Sequence, residues 1–141
     1  MPNLHPFLVH FPIALLTVST MFDLASVLRK KDELARVGWW TMVTGVCGLV
    51  ASVVSGLLAR DSTTVVDAAS DVLEAHEQLA LVVTAIFCAL LLWRLGVRTM
   101  LPSRSRLLYL TLSLLALVLM WMGALYGGRM VYEFGVSVSP R

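Results

Sequence analysis

Four long apolar blocks constrain this chain more than any other feature of its sequence. Pro6 to Leu28 is interrupted only by His10 and Asp23, and Val37 to Ala59 carries no charge at all. Leu79 to Leu95 holds one cation, Arg94, near its end, and Leu107 to Gly128 is again uncharged. A helix needs about 20 predominantly apolar residues to cross a bilayer core, so four such blocks predict four membrane-spanning helices. The expected fold is all-α, an integral membrane up-down four-helix bundle with short connections. The helices are expected over residues 6–28, 37–59, 71–97 and 106–129, with an outer loop over 60–70. The third is extended at its start by the helix formers of Asp71 to Gln78, and Asp67 to Ala75 is amphipathic enough to make a short outer helix running into it. At 58% hydrophobic and 14% charged over 141 residues, the chain is too apolar for a soluble domain and leaves no room for a second one. Residues 1–141 therefore read as a single membrane domain.

Charge fixes the expected orientation. Arg29, Lys30, Lys31 and Arg36 follow the first block, and Arg94, Arg98, Arg104 and Arg106 surround the third connection, which places eight of the eleven basic residues on one side. The positive-inside rule puts that side in the cytoplasm. The other side carries Asp61, Asp67, Asp71, Glu74, Glu77 and Glu133, and both termini are expected there, on the periplasmic side of a bacterial inner membrane. The N-terminus lacks a basic n-region and a small-x-small cleavage site, so the first helix reads as retained. The basic clusters are short loops and do not suggest nucleic-acid binding. Cys47 and Cys88 fall in mid-helix and read as small apolar fillers.

Small residues recur on the second helix, as Gly48, Ser52 and Gly56 beside a parallel ridge of Cys47, Ala51, Ser55 and Ala59. The fourth helix carries Gly123 and Gly127. This spacing lets a neighbouring backbone, a second copy of the chain or a flat ligand approach closely.

Against this background the three histidines stand out, because polar groups inside a membrane bundle mark functional sites by default. His10 lies about one turn inside the first helix and His76 at the outer end of the third, so both are expected at a similar depth on one side. Neighbouring axes about 8–10 Å apart place diagonal helices roughly 12–14 Å apart, a separation that suits two imidazoles holding one iron, with a porphyrin wedged between the helices. Ala14, Thr17 and Met21 below His10, and Ala80, Val83 and Phe87 below His76, are small or apolar enough to flank a macrocycle. His5 precedes Pro6 and lies about 140° from His10 on a continuous helix. It could be a propionate partner, an alternative axial ligand or a helix cap, since both histidines could serve one ion only if the chain bends before Pro6. Arg60 and Arg129 close helices on the same side, where a guanidinium fork suits a propionate, although interfacial snorkelling also explains them. Trp121, Tyr126 and Tyr132 fit an aromatic belt, with Trp39 and Trp40 at the opposite interface. Asp23 is expected to pair with a nearby basic loop.

The opening His5-Pro6-x-x-Val9-His10-Phe11-Pro12-Ile13-Ala14, the single histidine opening the third helix, and the ending from Tyr126-Gly127-Gly128-Arg129 to Val136 resemble a family of small bacterial four-helix membrane proteins long classed only as a domain of unknown function. The resemblance spans essentially the whole chain. Some members of that family are joined to Rieske iron–sulfur domains, which implies a redox setting and favours haem over a structural metal. It carries over onto His5, His10, His76, Gly127, Gly128 and Arg129. This chain has no Rieske ligands of its own, so an electron partner would be a separate Rieske-type or other periplasmic protein, or a quinone.

Three readings of function follow. The first is a cytochrome b-like membrane protein holding haem b between His10 and His76, an electron carrier or redox subunit rather than a stand-alone enzyme, since no catalytic nucleophile or acid/base pair is visible. The second is a copper or zinc site built from His5, His10 and His76 with Glu74 or Glu77. The third is a structural subunit of a larger membrane complex, with the small-residue ridges as its working surface.

Overall fold

A computed structural model describes residues 5–60, 67–97, 101–102 and 104–136. A single turn, α1 (His5–Leu8), leads into α2 (His10–Arg29); α3 (Asp32–Arg60), α4 (Ser70–Gly96) and α5 (Arg106–Tyr132) follow, with one 3-10 turn at Asp67–Ala69 ahead of α4. Four segments are long and apolar enough to cross a membrane, α1 and α2 counting together as the first. Most of the expected outer loop, residues 61–66, lies outside the described residues.

Two boundaries differ from expectation in ways that matter. The second helix starts at Asp32 rather than residue 37, because α2 and α3 are joined by only Lys30 and Lys31. Lys30 adopts the left-handed conformation, φ 54°, and its N–H donates to Ser26 O, closing α2 as a C-terminal cap does. Asp32 and Glu33 then occupy the first turn of α3, where carboxylates complement the helix dipole. Arg36, expected in a loop, is consequently helical.

The second difference is the break between α1 and α2. Proline cannot donate a backbone N–H, and its ring presses on the carbonyl four residues earlier. Pro12 places that disturbance at Leu8, and the helix is interrupted at Val9. The helical path nevertheless continues: Val9 keeps helical angles, φ −62° and ψ −25°, and Val9 N–H to His5 O at 3.2 Å and Ile13 N–H to Val9 O at 3.4 Å bridge the gap.

The four long helices form two antiparallel hairpins, α2 with α3 and α4 with α5. In the first, glycines let the backbones close up: a Cβ at Gly45 would stand 2.8 Å from the Leu16 side chain. Ser19 Oγ donates across the same seam to Gly38 O at 2.8 Å. Cys47 and Ala51 are exposed, so their ridge starts on the outer face of the bundle, and only its last members, Ser55 and Ala59, reach the space between the hairpins. The hairpins meet through a buried core that includes Leu16, Met42, Val46, Leu49, Val83, Phe87, Leu90, Leu117 and Met120. Burial is uneven along the bundle: no residue from 70 to 82 on α4 or from 53 to 60 on α3 is fully buried. Those stretches border the site described next.

Candidate functional site

At the end of the bundle where α1 begins and α5 finishes, a cavity of about 560 Å³ opens between the two hairpins. His5, His10 and His76 all line it. The sequence points to His10 as the residue opposite His76, but the structure puts His5 there. His10 is exposed, whereas His5 turns inward until its ring centroid is 6.2 Å from that of His76, with the two planes at 87°.

Both imidazoles are held from behind. His5 Nδ1 lies 2.9 Å from Ser52 O and 3.1 Å from Ser55 Oγ, and His76 Nδ1 lies 2.8 Å from Gly123 O. A carbonyl only accepts, so each Nδ1 is the protonated, donating nitrogen and each Nε2 carries the ring's lone pair. This is the tautomer and anchoring that metal-bound histidines use. Glycines make room for both rings. A Cβ at Gly56 would come within 2.9 Å of His5 Cε1, and one at Gly127 within 3.2 Å of His76 Cε1. Thus Ser52 and Gly56, the small-residue ridge noted in the sequence, serve the His5 ring rather than a second backbone.

The other sequence candidates divide. Arg60, Gly127 and Gly128 line the cavity, and Arg60 Nη1 donates to Glu77 Oε2 at 3.0 Å, an ion pair between α3 and α4 at the mouth. Arg129 does not belong with them: it is exposed, absent from the cavity lining among the described residues, and bonded to Glu133 one turn along its own helix at 3.1 Å. Among the described residues, no group of three or more His, Cys, Asp or Glu side chains is placed to hold a metal ion.

A second cluster, at the opposite end, went unrecognised in the sequence. Asp23 is 1% exposed and Arg94 0% exposed, so this pair lies inside the bundle and not at a loop. Arg94 Nη1 donates to Asp23 Oδ2 at 2.6 Å and Nη2 to Ala35 O at 2.5 Å. Tyr109 Oη donates to the same Asp23 oxygen at 3.3 Å. The guanidinium also lies over the rings of Trp39 and Tyr109, 5.7 and 6.0 Å from their centroids. Each of the four long helices contributes: Asp23 from α2, Ala35 and Trp39 from α3, Arg94 from α4, Tyr109 from α5. The available signal was the position of Arg94, eight residues before the next turn residue Pro102 and one helical face from Leu90 and Phe87, with Asp23 as the only opposite charge in an apolar block.

No curated protein and no solved structure matches the chain. Residues 1–140 do match a family described as predicted membrane proteins, DUF2231. With nearly every residue covered by that match and four helices able to span a bilayer, the chain belongs to this family of membrane proteins.

Proposed function

We propose that the protein is a haem b-binding membrane electron carrier whose axial ligands are His5 and His76. The observation that carries this reading is the 6.2 Å between the two ring centroids. Imidazoles bound to one metal at about 2.0–2.1 Å, each with its ring centre about 1 Å behind the nitrogen, have centroids roughly 6 Å apart. The ligand count favours haem over copper or zinc. A closed zinc or copper site needs three or four protein ligands, and the described residues offer no such group. A porphyrin brings four nitrogens and asks the protein for only two.

The surroundings agree with that choice. The cavity volume falls within the range of about 300–1,000 Å³ found for cofactor and ligand sites. Val9, Ile13, Leu49, Val83 and Met120 wall it, which excludes water and raises the effect of each nearby charge on a cofactor's potential. His10 and Arg60, at the mouth, are placed to meet propionate groups. The haem would supply reversible one-electron chemistry; the chain would bind it, orient it through the two Nδ1 anchors and keep it dry. Because the basic residues gather at the Arg94 end, the histidine end faces the periplasm under the positive-inside rule. Electrons would then pass between the quinone pool or a membrane partner and a periplasmic redox protein.

An absorption spectrum of the purified protein, oxidised and reduced, with haemin added if it is colourless, tests the proposal. A six-coordinate low-spin spectrum that disappears in His5→Ala and in His76→Ala but persists in His10→Ala is the expected result. Loss in His10→Ala with retention in His5→Ala would restore the assignment read from the sequence. Stoichiometric copper or zinc in a colourless protein would favour the metal-site reading. A protein that takes up neither haemin nor metal would overturn both and leave a structural role.

A further inference from the structure

We infer that the bundle works as a clasp: the Asp23–Arg94–Tyr109 cluster fixes one end, and the two hairpins are free to shift at the histidine end until a cofactor bound by both staples them together. The inference rests on the cofactor reading above for its second half only. Its first half stands on how the two ends are built.

At the fixed end, the hairpins are joined by short charge-assisted bonds that cross between them. Arg94 of the α4–α5 hairpin donates to Asp23 and to Ala35 of the α2–α3 hairpin, and Tyr109 of α5 adds a third bond to Asp23. All of these groups are fully buried, where such bonds are not screened by water. Sliding or parting the hairpins here would strand two opposite charges in an apolar interior, so this end has one arrangement.

The histidine end is built differently. The last eight residues of α3 and the first thirteen of α4 contain no fully buried side chain, and the space between them is the 560 Å³ cavity. The polar link named there between hairpins is the Arg60–Glu77 ion pair, in which Arg60 is 57% exposed. Exposed pairs of this kind hold two helices together only weakly. The two imidazoles come one from each hairpin, and each is anchored to its own hairpin, His5 to α3 and His76 to α5. A group bound by both must hold the hairpins at one separation.

Electron–electron distance measurements between spin labels in nanodiscs test this. Cys47→Ala and Cys88→Ala clear the background. Leu58→Cys with Gln78→Cys reports the histidine end, and Arg36→Cys with Leu95→Cys the fixed end; all four sites are exposed. Without haemin, a broad distance distribution is expected for the first pair and a narrow one for the second. Arg94→Met should broaden the second. Haemin should narrow the first pair and leave the second unchanged. If haemin binds with a low-spin spectrum and the first distribution does not narrow, the clasp is overturned while the cofactor reading survives. If haemin does not bind, the cofactor reading and the stapling fall together. The hinge then stands or falls on the protein alone: equal widths at the two ends, or an Arg94→Met protein as narrow at the fixed end as the parent, overturn it.

Discussion

Removing Arg94 should destabilise this protein more than removing almost any other side chain, and removing Asp23 with it should restore part of the loss. In Arg94→Met the apolar stem is retained and the guanidinium is lost. Asp23 then keeps one weak bond, from Tyr109 Oη at 3.3 Å. Its Oδ1 already has no hydrogen-bond partner among the described residues, so the carboxylate would be buried and nearly bare, and Ala35 O would lose its 2.5 Å donor. Breaking a buried ion pair by deleting one partner costs about 3–5 kcal/mol, which lowers the folding equilibrium constant by roughly two to three and a half orders of magnitude. Asp23→Leu strands Arg94 in the same way and should cost a similar amount. Replacing both by Leu and Met removes the two charges together, and swapping a buried pair for apolar side chains of similar volume is often neutral or stabilising. The double variant should therefore be more stable than either single one, a coupling that a double-mutant cycle isolates. Reversible unfolding in mixed micelles, followed by far-ultraviolet circular dichroism, measures all four proteins. Single variants within about 0.5 kcal/mol of the parent, or a double variant whose loss equals the sum of the two, would refute the reasoning.

Two further predictions follow from close contacts and from exposure. Gly38→Ala should destabilise by about 1–3 kcal/mol, the usual cost of overpacking, because its Cβ would clash with Asp23 Oδ1 and stand 3.2 Å from Ser19 O; a melting point unchanged from the parent in the same detergent would contradict this. Arg129→Gln should change stability by less than about 0.5 kcal/mol and leave the cofactor spectrum intact, since its partner is an exposed carboxylate one turn away on its own helix, whereas a propionate role would show as weakened haemin uptake.

The sequence by itself determined the number of spanning helices, because length and hydropathy are local properties that a bilayer reads block by block. It also marked one end of the bundle as the candidate site, since three histidines in so apolar a chain carry a signal regardless of packing. Which imidazole faces His76 was decided only in three dimensions. Five residues put His5 about 140° around the helix from His10, so only one of the two can face into the bundle, and the packing of the first helix on α3 makes it His5. The charge of Asp23 called for a basic partner, but which one was likewise decided only by packing. Seventy-one residues separate Asp23 from Arg94, and a cation near the end of an apolar block reads as the start of a basic loop until the helix is seen to run on to Gly96. Composition told which groups were costly to bury in lipid; only the packing of two hairpins decided where each found the partner that makes its burial tolerable.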